Sequence, residues 1–426
     1  MERKFLYHNF FHSLASSLIQ PFIPIFSLKL RASSFEIGAV SALPSLTNIY
    51  GQLIWALVGT LTKNRKILMI LGGLMYAIFY VLIAHATTPW ELIILLTVQS
   101  FFLSAFVTFY LELLSFNLPR YKRGSALGKL NVMASLGAFF GNLIGGWILS
   151  EYGFIPAIFY FSTFFSILGL MFLARMRYST IPFKRNVAFR EALKNKRLMS
   201  FLFAICYFNL AVSLPRPFFS VYLVTNLKGT LLDIALLGII GIVIGSLFYE
   251  SWGWVVDFLG RRATMLGTLA PIALTPLVYS LAGDVIPIYL YTLISSLSWA
   301  GFNLAISAYL FDVVRRDITL IEIVLFNTLT GTASSMGPLI GGVIAQILGV
   351  RMVFFLSSVL RFSTFVLFLR LRETKGPIKK EVLRTPSGEA REILKNTYSI
   401  YSSLLSRMGR RGKRLRKKLR TTRVFS

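Results

Sequence analysis

The chain alternates apolar runs of about twenty residues with short polar breaks. Six runs lie near 5–28, 37–61, 67–86, 91–115, 126–150 and 154–174. Six more lie near 198–226, 234–258, 263–283, 286–311, 320–348 and 352–371. Each is long enough for a helix to cross a hydrocarbon layer of roughly 30 Å. The pattern predicts an all-α polytopic membrane protein of about 12 transmembrane helices. The first run, from Phe5 to Leu28, is too long for the apolar region of a cleavable signal and has no convincing small-residue cleavage site. It reads as span 1.

Composition agrees with the pattern. Of 426 residues, 55% are hydrophobic and 38 are phenylalanine, more apolar surface than a soluble core can use. Charged residues make up only 15%, well below the roughly 25% of a soluble domain. The one cysteine, Cys206, excludes a disulfide framework. Three histidines without metal-ligand spacing give no metal site, and no cofactor is expected. Four glutamines and one cysteine suit a hot-living prokaryote, an archaeon included.

Net charge is +28, and its placement decides what it means. The amino terminus and the loops on its side of the membrane hold 20 Lys and Arg, against 4 in the opposite loops. That bias puts both termini in the cytoplasm of a multi-pass plasma-membrane protein. The basic excess then faces anionic inner-leaflet lipid, and nucleic acid is not the expected partner. After Arg372 the composition shifts. Leu394, Tyr398, Tyr401, Leu405 and Met408 keep an amphipathic helical rhythm. Residues 407–423 carry ten Lys and Arg and no acid, which suits an anionic lipid surface.

The chain divides evenly. A basic linker, 175–197, separates residues 1–174 from 198–371, and 372–426 form the tail. "GNLIGGWILSEYG" (141–153) aligns with "GPLIGGVIAQILG" (337–349) at an offset of 196. At the same offset Asn131 meets Asn327 and Arg120 meets Arg316. "FEIG" (35–38) resembles "LDIA" (232–235). Two parallel six-helix bundles related by pseudo-symmetry are what such a repeat predicts.

"GWVVDFLGRR" (253–262) concentrates charge between two apolar runs. Gly253, Asp257, Gly260, Arg261 and Arg262 match the G-x-x-x-D-x-x-G-R-R motif of the major facilitator superfamily, where that family keeps its second copy. "GPLIGG" in span 11 resembles the family's Gly/Pro packing motif, and "LPRYKRGSALG" (118–128) its loop between spans 4 and 5. The resemblance covers residues 1 to about 372 and implies alternating-access transport. Physically, Asp257 can cap a neighbouring helix amino terminus. Arg261 or Arg262 can reach Asp312 at the end of span 10. The expectation is a charge latch that gates the cytoplasmic side, its turn closed by both glycines. The first-half copy, "GTLTKNRK" (59–66), has Lys63 where the acid belongs, so a weaker latch and asymmetric gating are expected there. Family drug exporters place a proline after the second glycine of a span 5 motif. Here Asn142 stands there and the proline is Pro338 in span 11.

Polar residues at membrane depth are functional candidates by default. Arg216 lies in span 7, roughly 15 Å from its outer end and flanked by Pro215 and Pro217, which predict a kink. Asn209, Ser213, Arg216 and Ser220 share one helical face. Asn9, Ser13, Ser16 and Gln20 form the matching row in span 1. Arg216 would meet an anionic substrate or an internal acid, for which Glu250 in span 8 is the candidate. Span 4 offers Ser100, Ser104, Thr108 and Glu112 at i+4 spacing. Span 10 offers Tyr291, Ser295, Trp299, Asn303 and Ser307. The expected substrate cavity comprises Asn9, Ser13, Gln20, Ser104, Thr108, Asn209, Arg216, Trp299 and Asn303. Glu250 and Glu112 are the proton-coupling candidates. Arg361 in span 12 would snorkel or pair.

No nucleotide-binding loop and no catalytic constellation is present, so an enzyme is not expected. The reading is a monomeric secondary transporter, driven by a proton or another ion, for a small anionic or polar metabolite. Proton-coupled export of lipophilic compounds is the alternative, and a non-transporting receptor or scaffold on the same fold is the second.

Overall fold

The computed structural model describes residues 2–62, 64–117, 123–176, 189–315 and 318–374. Lys63, Arg120, Arg316, most of the linker and the tail beyond 374 lie outside the described residues. The first crossing is α1 (Glu2–Ser17), a 3-10 turn (Gln20–Phe22) and α2 (Ile23–Lys29). The next five are α3 (Ser34–Leu61), α4 (Arg65–Ala84), α5 (Pro89–Asn117), α6 (Arg123–Tyr152) and α7 (Pro156–Ala174). A short α8 (Phe189–Leu193) precedes the seventh crossing, built from α9 (Lys196–Ser213) and α10 (Arg216–Thr225). Then follow α11 (Leu231–Leu259), α12 (Arg261–Leu281), α13 (Ile286–Val313), α14 (Thr319–Leu348) and α15 (Val350–Arg370).

Eleven of these crossings are long and apolar enough to span a membrane. The other is α3, which has 28 residues but carries Ser41, Ser45, Asn48 and Gln52 along its length. The repeat is visible in the packing. In the first half α1 lies against α6 and α7, and in the second α9 lies against α14 and α15. The pairs α4–α5 and α12–α13, and α4–α7 and α12–α15, correspond likewise. Contacts gather the described residues up to 256 and from 260 to 374 into one compact unit.

Local chemistry explains the helix starts. Ser33 and Glu36 form a capping box on α3, and Thr230 and Asp233 form one on α11. The "FEIG" and "LDIA" likeness is this repeated cap. The glycine rows act through contact. A side chain at Gly141 or Gly145 would strike the backbone of Leu14 or Leu18 in the first crossing. One at Gly337 or Gly341 would strike Leu210 or Leu214 in the seventh. Small residues let these helices meet backbone to backbone, the packing that lipid favours.

The two halves close on each other at the end away from the termini. Two buried apolar clusters near the termini draw only on their own half: one on Phe5, Met69, Phe109 and Leu130, the other on Phe201, Met265, Phe302 and Phe368. Two at the far end mix halves, joining Leu18 and Val40 to Ala235, and Ile25 and Ile37 to Leu214 and Phe354. Two seams make this closure. Gly38 of α3 abuts Pro338 and Gly342 of α14, and Gly146 of α6 abuts Ala235 of α11. Towards the termini α11 parts from α6, while Trp252 and Val256 stay packed in the second half. A side chain at Gly238 would have Asn142 at 3.2 Å and one at Gly241 Ser296 at 3.7 Å; at Gly245 there is nothing within 4 Å. Gly128, near the start of α6, is equally open.

Candidate functional site

Behind the sealed end lies a cavity of about 790 Å³ between the halves. Its two landmarks are helix breaks. The first crossing breaks between Ser17 and Ile23, and the seventh between Ser213 and Arg216. The second break is the kink expected from Pro215 and Pro217. The first, around Pro21, was not legible as one, because its prolines sit inside an unbroken apolar run. At the repeat offset of 196, Gln20–Pro21 corresponds to Arg216–Pro217, and all four residues line the cavity. Interrupted helices at a repeat interface are where transporters of this kind build their sites.

Arg216 opens α10 and is exposed to the cavity. Its guanidinium has no hydrogen bond or ion pair among the described residues. Among those lining the cavity there is no Asp, Glu or Lys and no second Arg. The polar wall is hydroxyl and amide: Ser41, Ser45 and Asn48 on α3, Gln99 and Ser100 on α5, Ser334 and Ser335 on α14. Tyr76 and Tyr80, whose hydroxyls share a 2.6 Å hydrogen bond, line it from the first half, and Phe219 and Tyr279 from the second.

Of the residues expected in the cavity, Gln20 and Arg216 line it; Asn9, Ser13, Ser104, Thr108, Asn209, Trp299 and Asn303 do not. Each has another engagement or place. Asn9 Oδ1 accepts from Tyr110 Oη at 2.9 Å. The Ser13 carbonyl accepts from the Ser16 hydroxyl at 3.2 Å. Ser104 is fully buried, and its hydroxyl fills the space beside Gly51. Thr108 donates back to Ser104 O at 2.8 Å. The Asn209 carbonyl takes the Ser213 hydroxyl at 2.7 Å. Trp299 packs with Phe208 and Phe302, and Asn303 is exposed, its carbonyl accepting from Ser307. Spacing found polar faces but could not say which ones turn inwards.

The charged motif pairs Arg261 with Asp312, the acid expected for it, and does so within the second half. Arg261 Nε bonds Asp312 Oδ2 at 3.1 Å, joining α12 to α13 inside the second half. Thr374 donates to the same carboxylate oxygen at 2.8 Å. Glu373 accepts from the backbone N–H groups of Arg261 and Arg262 at 2.9 and 3.1 Å, so it caps α12. Sequence reading had no part for Glu373. Gly260 has φ 98°, a conformation that requires glycine. Gly253 sits within α11 with only Leu304 near, at 3.9 Å, and forms no turn. Asp257 stands in the last turn of α11. The first-half copy, expected to be weak, makes the matching bridge. Arg65 Nη1 bonds Glu112 Oε1 at 2.5 Å, and its Nε donates to Gly59 O at 2.8 Å. Glu112 on span 4 thus holds the place that Asp312 holds on span 10. Glu112 is thereby engaged, while Glu250 is exposed on α11, does not line the cavity and does not meet Arg216.

Two buried features stand apart from the cavity. His8 and His12 stack in the first half at 5.5 Å among Tyr76, Phe106 and Tyr110. Arg361, expected to snorkel or pair, is 2% exposed.

A twelve-crossing repeat closed at one end over a polar, proline-lined cavity is the architecture of an alternating-access secondary transporter. The family model described as Major Facilitator Superfamily matches residues 8–249 and 217–425. The chain belongs to the Major Facilitator Superfamily. It is 26% identical over 373 residues to the multidrug resistance protein MdtG of Proteus mirabilis (strain HI4320), covering 82% of this chain and 90% of that one. To MdtG of Rahnella sp. (strain Y9602) it is 25% identical over 364 residues, covering 82% and 88%. Its fold is similar to that of the nucleoside transporter NupG, with TM-score 0.72 at 14% identity over 86% of this chain and 98% of that one. A bacterial homolog of the human lysosomal transporter Spinster, inward-facing and unoccupied, gives TM-score 0.67 at 12% identity over 86% and 95%. The chain is a multi-pass membrane transporter with a small-molecule substrate.

Proposed function

We propose that this transporter moves a small organic anion across the cytoplasmic membrane by alternating access. The observation that carries the reading is Arg216, a cation open to the cavity and matched by no carboxylate there. Removing a charge from water is costly unless it meets a partner. An anionic substrate is the partner the cavity lacks. Tyr76, Tyr80, Tyr279 and Phe219 add surfaces for the substrate's apolar or ring portion. In this orientation the termini are cytoplasmic, and the sealed end faces outwards. The protein works as a monomer and performs no covalent chemistry.

Ion coupling belongs to the same proposal. Glu112 is held by Arg65, which leaves Glu250 as the carboxylate for a coupling proton. Glu250→Gln is expected to abolish proton-driven accumulation while leaving exchange of substrate across the membrane intact. Export of lipophilic compounds is the second reading, favoured by relatives named multidrug resistance proteins.

The test is a thermal-shift screen of wild type and Arg216→Ala against organic anions, sugars and lipophilic cations. A specific ligand stabilises by roughly 2.7 kcal/mol at a hundredfold excess over its dissociation constant. One class of anion should stabilise wild type and not the variant. Equal stabilisation of both by lipophilic cations would move the assignment to drug export.

A further inference from the structure

Proline inside a helix leaves the carbonyl four residues earlier without its N–H. Two such carbonyls lie in the seventh crossing and in α12. Pro215 leaves Ala211 O unanswered at the break of the seventh crossing, and Pro276 leaves Ile272 O unanswered within α12. In lipid an unsatisfied backbone group must be met by protein. Both are met by one face of α15. Ser357 Oγ donates to Ala211 O at 2.7 Å, and Arg361 Nη1 donates to Ile272 O at 2.8 Å. The same face reaches the next carbonyl in each helix. Arg361 Nη2 donates to Val212 O at 3.1 Å and Ser358 Oγ to Ala273 O at 2.5 Å. Ser357, Ser358 and Arg361 are each at most 2% exposed.

The geometry points to Arg361 as the positioning residue of the substrate site. Its two-armed guanidinium brackets the broken seventh crossing to the kinked α12, and so fixes the turn from which Arg216 enters the cavity. Val212 O lies four residues before Arg216, so the bracket acts one helical turn from the cation it aims. Arginine suits the task where lysine does not, because its planar fork presents separate donors to two acceptors at once. A guanidinium sealed away from water, serving only backbone carbonyls, is expensive to keep. Among the described residues no carboxylate pairs with Arg361, so no ion pair compensates that cost. The return is a break held in one shape. The proposal rests on the cavity reading only in taking Arg216 as its cation.

The test therefore reads that cation directly, without a substrate. Cys206 is the only cysteine, so Cys206→Ala with Ser220→Cys puts one thiol on the cavity wall a turn after Arg216. Its labelling rates by an anionic methanethiosulfonate (sulfonatoethyl) and a cationic one (trimethylammonium-ethyl) give a charge-selectivity ratio. Arg216→Ala should lower that ratio by roughly tenfold and sets the floor. Arg361→Met should fall towards the same floor, and Arg361→Lys should stay with it. Adding Pro276→Ala to Arg361→Met restores the N–H that Ile272 O lacks, and should recover most of the ratio. A wild-type ratio in Arg361→Met would overturn the proposal. So would full recovery by lysine with none from Pro276→Ala, since charge alone would then be at work. Should Arg361→Met fail to fold, Ser357→Ala with and without Pro215→Ala asks the same of the other proline. A ratio that falls and then returns supports the bracket, and an unmoved ratio overturns it. Because the ratio needs no transported compound, failure of the anion screen and failure of the bracket remain distinguishable.

Discussion

At the scale of single residues, the molecule spends its buried charge in three ways. Arg216 stands in the cavity with no partner among the described residues, Arg361 holds backbone, and Arg65 and Arg261 each bind an acid on the next helix. The bridges fasten helices within a half, so their loss should show first as instability. Arg65 and Glu112 are 13% and 17% exposed, whereas Asp312 is 33% exposed. Glu112→Gln keeps an acceptor and loses the charge, and should cost about 1–3 kcal/mol of stability. Asp312→Asn should cost less. Thermal unfolding of the two variants in one detergent gives the order, and the reverse order would contradict these bridge assignments. Charge was legible in the sequence as motif and as cost. Asp312 was legible as a partner of Arg261, but Glu112 and Glu373 were not, lying 47 and 112 positions from the groups they bind.

At the scale of elements, prolines and glycines do most of the shaping. The twelve crossings and the six-plus-six repeat could be read from hydrophobic runs, because run length and lipid thickness are directly linked. The break of the first crossing could not, since proline is tolerated in membrane helices and need not interrupt one. Nor could the inward faces be read. The stripe of α5 contributes Ser100 to the cavity but turns Ser104 and Thr108 elsewhere. The seams make a sharper prediction. A side chain at Gly38 meets the backbone of α14, which cannot rotate away, so Gly38→Val should hold the far end open. At Gly128 and Gly245 nothing lies within 4 Å. Valine there should leave this state as stable as before and block only a state in which the other end closes. Cavity labelling from each face of reconstituted vesicles checks both. Undiminished transport by Gly38→Val would show that the seam does not gate.

At the scale of the whole molecule, the far end is sealed by apolar clusters shared between halves, while the clusters near the termini belong to one half each. Alternating access exchanges these roles. Spin labels at Leu61 and Val324 report the α3–α14 gap near the termini, and labels at Arg31 and Leu348 report the sealed end. Substrate and gradient together should shorten the first distance and lengthen the second. Movement of one without the other would contradict rocking of two rigid halves about the cavity.

What the transporter carries depends most on Arg216. The decisive measurement is flux of the stabilising anion into proteoliposomes bearing wild type, Arg216→Lys or Arg216→Ala. Saturable uptake by wild type, weakened by lysine and abolished by alanine in a protein that still folds, is the predicted result. Equal flux through wild type and Arg216→Ala would mean that the cavity cation does not select the substrate, and the anion assignment would fall.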